Sequence, residues 1–169
     1  MRNITKRINT ILLIALVVVL SCANATAQTS LTEFEQKMRL HSGKVIYLDF
    51  WASWCVPCRQ SFPWLNSMQA AYQQEGFVVL SINLDTKTSH AKAFLEKHPA
   101  NFDIIYDNQG LLSKKFALKG MPSSYLFNRQ GKIIANHLGF NQQKKQDYQQ
   151  EIIDALTVSS PKNAPLVSQ

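Results

Sequence analysis

Residues 49–58 read Asp-Phe-Trp-Ala-Ser-Trp-Cys-Val-Pro-Cys, the end of an apolar run leading straight into two cysteines. Upstream, Val45 to Trp51 (VIYLDFW) is β-branched and aromatic almost without a break, as a strand covered on both faces should be. Downstream, Cys55 to Gln74 reads as a helix carrying Phe62, Leu65, Met68, Ala71 and Tyr72. Gly76 ends it, and Phe77 to Leu84 (FVVLSINL) supplies a second buried strand. Strand, helix, strand with short links is a βαβ unit, which requires parallel strands and a right-handed crossover. The cysteines thus fall at the N-terminus of the crossover helix, where unpaired N–H groups and the helix dipole favour a thiolate. Two intervening residues, one of them Pro57, let both thiols join within one turn. In that arrangement Cys55 is the exposed nucleophile and Cys58 the shielded resolving thiol. Half of a zinc site is the competing reading. Zinc needs four ligands, yet no second such pair exists and His41, His90, His98 and His137 are scattered, so redox chemistry is preferred.

Outward from this unit the pattern continues. Thr32 to Leu40 can start a helix, with Thr32 and Glu35 at capping-box spacing and Phe34 and Met38 on one face. Ser89 to Lys97 reads as helix, Phe102 to Tyr106 as a short strand, and Leu111 to Leu118 as helix again. Ser124 to Phe127 and Lys132 to Leu138 flank Asn128-Arg129-Gln130-Gly131, a hairpin signal. Gln143 to Leu156 forms a last amphipathic helix with Tyr148, Ile152 and Ala155 on one side. The order α-β-α-β-α-β-α-β-β-α implies an α/β fold, a central mixed sheet with helices on both faces. The expected division is residues 1–27 as a leader, 28–157 as the domain and 158–169 as a flexible polar tail.

The 169 residues suit one domain, and an apolar content of 46% argues against disorder. The net charge of +7 is misleading, because Arg2, Lys6 and Arg7 sit in the leader. The other 142 residues carry 15 basic against 11 acidic side chains, too small an excess for a nucleic-acid footprint. No glycine-rich phosphate loop or Ser-His-Asp layout appears. The leader itself has a basic start, the apolar run Ile11 to Leu20, and Ala25-Thr26-Ala27 as a small-residue exit, the layout of a secretory signal peptide. Its ten apolar residues fall short of the ~20 that span a bilayer. Val19-Leu20-Ser21-Cys22 also resembles a bacterial lipobox, which would leave a lipid anchor on Cys22. Either route places Cys55 and Cys58 in an oxidising, periplasmic or envelope setting.

The segment from Asp49 to Cys58 resembles the active-site segment of the thioredoxin superfamily. Pro63, five residues beyond Cys58, matches the proline that kinks the active-site helix there, and Gly120-Met121-Pro122 matches the cis-proline loop before a strand. More narrowly, the chain is similar to the TlpA/ResA-like exported thiol–disulfide oxidoreductases. Those carry an extra helix and strand before the cis-proline, and the 36 residues between Asp85 and Pro122 leave room for them. The resemblance spans Thr32 to about Leu156.

That resemblance implies a catalytic set of Cys55, Cys58 and Asp49, the last accepting the Cys58 proton. It implies a substrate-binding set of Trp54, Pro57, Met121 and Pro122, with the Met121 backbone pairing to a substrate strand. Alternation places Asp49 on the face of Tyr47 and Trp51, and where many thioredoxins carry a lysine partner this chain has Ser81. Arg59 either supports the thiolate or is merely solvated. No cofactor or metal is expected beyond the cysteine pair. The implied partners are disulfide-bearing envelope proteins, apocytochrome c among them, and a membrane-embedded electron donor of the DsbD type, with the chain monomeric. A reductant is the leading expectation. The alternatives are a net oxidant, a thiol peroxidase and a peptide-binding module. The absence of histidine between the cysteines disfavours the oxidant, and the adjacent cysteine pair disfavours the peroxidase.

Overall fold

The computed structural model describes residues 29–158. The leader, Cys22 and the tail beyond Val158 lie outside that range. Ten elements follow the expected order: α1 (Ser30–Leu40), β1 (Val45–Trp51), α2 (Val56–Tyr72), β2 (Phe77–Asn83), α3 (Thr88–Lys97), β3 (Asp103–Tyr106), α4 (Leu111–Lys115), β4 (Ser123–Phe127), β5 (Ile133–Leu138) and α5 (Gln142–Thr157). A 3-10 turn, Gln73–Glu75, prolongs α2 until Gly76, at φ 85°, turns the chain into β2.

The strands form one mixed sheet in the order β3-β2-β1-β4-β5. β1 runs parallel to β2 and β2 to β3, while β4 is antiparallel to both β1 and β5. β1 and β2 are buried along their whole length, which is why both read as unbroken apolar runs. Helix α3 and strand β3 are the additional helix and strand before Pro122, and β3 takes the sheet edge beside β2. Tyr47, Val79 and Leu126 face Trp64, Leu65 and Met68 of α2 and Ile152 of α5. At the other end of that face, Trp51 packs with Phe62 of α2 and Ala91 and Phe94 of α3. The opposite face, Ile46, Leu48, Phe50, Leu80 and Ile82, is covered by Phe34 of α1 and Leu112 of α4.

Two sequence expectations are corrected. Helix α1 is capped by Thr29, whose hydroxyl accepts from Thr32 N–H at 3.3 Å, so it starts earlier than a cap at Thr32 would allow. Helix α4 ends at Lys115 instead of running to Leu118. Phe116 turns inward against the rings of Phe34, Phe50 and Tyr125, and Ala117 then adopts a left-handed φ of 48°. The hairpin forms as expected: Asn128 Oδ1 accepts from the N–H groups of Gln130 and Lys132, and Gly131 supplies φ 73°. Among the described residues no helix is long and apolar enough to cross a membrane.

Candidate active site

Cys55 is the cap residue of α2, in extended backbone, with Sγ accepting from the Cys58 N–H at 3.3 Å. Its sulfur therefore meets a backbone N–H of the first turn, at the helix end where developing negative charge is favoured. Cys55 and Cys58 form a disulfide with an S–S distance of 2.04 Å. Cys58 is completely buried and Cys55 is 4% exposed. The expectation of an open Cys55 is thus corrected for this state: with its sulfur turned onto Cys58, it lies in a cluster with Trp51 and Phe62, against which Met121 packs. Two apolar side chains stand out from the surface beside the pair, Trp54 at 65% exposure and Val56 at 60%. Pro57, at the start of α2, is half-buried.

The Met121–Pro122 peptide bond is cis, and Pro122 is buried. Met121 precedes β4 and makes no backbone–backbone hydrogen bond among the described residues. The structure thus brings Cys55, Cys58 and Met121 together, with Trp54 on the adjoining surface. Pro63 lies inside α2, and Trp64 beyond it is buried against Tyr47, Phe140 and Tyr148. Arg59 is exposed and has no ion-pair partner among the described residues.

What holds the loop before Cys55 was not foreseen from sequence. Asp85, buried just beyond β2, accepts from Ser53 N–H at 2.9 Å, Ser53 Oγ–H at 2.9 Å and Asn83 Nδ2 at 2.8 Å. One carboxylate therefore clamps the approach to Cys55 onto the end of the sheet. Asp85→Ala strands three donors in a buried place and is expected to cost about 3 kcal/mol in denaturant unfolding. Ser53→Ala should cost about 1 kcal/mol. Equal losses would show that Asp85 is not the common acceptor.

Asp49 faces α2 between Tyr47, which packs on Trp64, and Trp51, which packs on Phe62. It is buried, its Oδ2 has no hydrogen-bond partner, and burial raises its pKa from 3.8 to about 7. Its parallel neighbour is Ser81, the residue that stands where many thioredoxins carry a lysine, and the Ser81 hydroxyl is likewise buried and unpartnered. Among the described residues no cation offsets the carboxyl, so it can hold a proton near neutral pH. From the same face a polar chain runs outward: Ser124 Oγ donates to Tyr47 Oη at 2.6 Å, His137 Nδ1 lies 3.0 Å from Ser124 Oγ, and His137 Nε2 lies 2.8 Å from Glu151 Oε2. His137 also stacks on Tyr148, a placement that its scattered position in the sequence does not reveal. Nothing in the local sequence marks it. No group of three or more His, Cys, Asp or Glu side chains that could hold a metal ion occurs among the described residues.

A paired CxxC on the crossover helix, with a cis-proline beside it, is the arrangement that defines thioredoxin-fold proteins whose redox group is the cysteine pair itself. Residues 19–152 match the Redoxin family, and the chain belongs to it, within the thioredoxin superfamily. A crystal structure from Chlorobium tepidum, provisionally named thiol:disulfide interchange protein DsbE, is 48% identical, with a TM-score of 0.69. The match covers 70% of this chain and 84% of that one. StoA from Bacillus subtilis is 27% identical with a TM-score of 0.54, over 62% of this chain and 82% of that one. Among curated proteins, the thiol-disulfide oxidoreductase ResA of Geobacillus thermodenitrificans (strain NG80-2) is 27% identical over 99 residues. That match covers 59% of this chain and 57% of the relative, so the chain spans little more than half the length of the curated protein.

Proposed function

We propose that the chain is an exported thiol–disulfide oxidoreductase that reduces disulfides in envelope proteins, apocytochrome c being one candidate. The observation that carries the reading is a disulfide at a helix N-terminus whose inner cysteine is sealed from solvent, on the sheet face where β1 also carries the buried carboxyl of Asp49. In the reduced protein the Cys55 thiolate attacks one substrate sulfur. That S–S bond breaks, a mixed disulfide forms, and the departing sulfur takes a proton. Asp49 accepts the Cys58 proton, and the Cys58 thiolate attacks Cys55 Sγ. The second substrate sulfur then leaves, the Cys55–Cys58 disulfide closes, and two electrons have passed to the substrate. Trp54 and Pro57 offer the contact surface, and Met121, free of backbone partners before Pro122, pairs with the substrate strand.

A membrane-embedded donor of the DsbD type returns the electrons, and the protein works as a monomer. Residues 28–157 form the working domain and 158–169 a tail, while residues 1–27 direct export. Cleavage after Ala27 is the preferred exit and lipidation of Cys22 the other; the intact mass of protein recovered from cells separates them. Direction of flow rests on the reduction potential of Cys55–Cys58, measured by equilibration in defined thiol buffers. A value near or below about −250 mV is expected, and one near −120 mV would make the protein a disulfide donor.

A further inference from the structure

Beside the disulfide lies a groove of about 280 Å³ lined by Ser53, Arg59, His90, Ala93, Phe94, Lys97 and His98. It adjoins the redox pair, since Ser53 opens the loop into Cys55 and Arg59 directly follows Cys58. Four of the seven lining side chains are basic and none is acidic. None of the four makes an ion pair among the described residues. Some basic side chains elsewhere are engaged, as Lys37 is with Asp103 at 2.7 Å, Lys144 with Leu138 O and Arg129 with three carbonyls. Lys44, Lys87 and Lys132 also make no ion pair among the described residues. What distinguishes the groove is that its basic side chains line one concavity without an acid. Asp85, bonded to the lining residue Ser53, is engaged with Ser53 and Asn83, and the exposed Glu96 beside Lys97 on α3 is not among the lining residues. Phe94, packed under Trp51 and Phe62, forms an apolar base on which the His98 ring rests at 4.6 Å.

We propose that this groove selects substrates by receiving acidic side chains that flank the target cystine of a disulfide-bearing polypeptide. The inference rests on the reductase reading and adds the substrate class to it. Charge complementarity favours that occupant: two cations with no counter-charge of their own face the path of any chain whose sulfur approaches Cys55, and the floor takes the carbon stem of a Glu or Asp. An incoming acid supplies the missing partner and raises the encounter rate without altering the thiol chemistry. The apolar side chains of Trp54 and Val56 hold the other side of the same segment.

The test uses three short peptide disulfides of one sequence, with Asp, Gln or Lys on both sides of the cystine. The reduced protein is mixed with each, and second-order rate constants are measured at low ionic strength. The Asp peptide is expected to react about tenfold faster than the Lys peptide, with Gln between them. About 0.5 M salt should bring the ratio close to one. In the double variant Arg59→Gln/Lys97→Gln the ratio should fall towards one at low salt. Because the ratio compares substrates on one protein, it cancels any change in Cys55 reactivity. Equal rates for all three peptides with the unaltered protein would overturn the groove while leaving the reductase reading intact, even if the groove takes small anions. A preference that survives in the double variant would also overturn it. Failure to reduce any of the three would remove the reductase reading instead.

Discussion

Cys55→Ser will abolish reduction of a peptide disulfide, lowering turnover at least about a thousandfold, whereas Cys58→Ser will stop after one step and accumulate protein joined to substrate. The asymmetry follows from where the helix puts the two sulfurs. Cys55 caps α2 and accepts the Cys58 N–H of its first turn, so a thiolate there is stabilised. A serine hydroxyl at the same place is not ionised near neutral pH and offers no comparable nucleophile. Cys58 is fully buried, one turn further in, and its access to a bulky substrate is through Cys55. Removing it leaves the first attack intact and takes away only the group that breaks the mixed disulfide. Mass spectrometry of the quenched reaction reads both outcomes. An adduct on Cys55→Ser and none on Cys58→Ser would reverse the roles. Adducts on neither variant would end the mixed-disulfide mechanism.

The parts of this site that the sequence reveals are those written in covalent chemistry or in an unbroken burial pattern. Two cysteines and a proline announce themselves, and β1 is legible to the residue because both its faces are covered and nothing polar but Asp49 interrupts it. Asp49 is conspicuous for that reason alone. The start of α1 was less legible because Thr29 and Thr32 both offer a capping oxygen, and only the backbone shows which one points at a free N–H. The end of α4 is decided by tertiary packing, since local propensity would carry the helix past Phe116, and three aromatic rings from other elements draw that side chain inward. Polar partnerships were illegible. Ser53 meets Asp85 across 32 positions and Tyr47 meets Ser124 across 77, and such pairs have no period to betray them. The basic groove is hidden likewise, because Arg59 on α2 and Lys97 on α3 become neighbours only when the two helices pack on one face of the sheet.

Asp49→Asn is expected to stabilise the disulfide form at pH 8 by up to about 4 kcal/mol and to leave it unchanged at pH 4. The folded chain keeps the Asp49 proton up to about pH 7, while the unfolded chain releases it near 3.8. Between those values the folded state binds the extra proton, so stability falls as pH rises through that window, and above it the full cost of a buried, unpaired carboxylate is paid. Asparagine cannot ionise, so the variant should lose this pH slope; thermal unfolding from pH 4 to 8 reads it directly. The same substitution is expected to slow resolution of the mixed disulfide about a hundredfold near neutral pH, because Cys58 then has no internal acceptor for its proton. The two effects test different things. A gain in stability with unchanged resolution kinetics in rapid mixing would mean that Asp49 is a buried acid without a part in the chemistry. Slower resolution with no gain in stability would mean that the carboxyl is not desolvated as the fold places it, and that its proton is held by some other group. Only both together make the instability of the sheet at this one position the source of its reactivity: a carboxyl that costs stability when charged is for that reason a base able to take a thiol proton near pH 7.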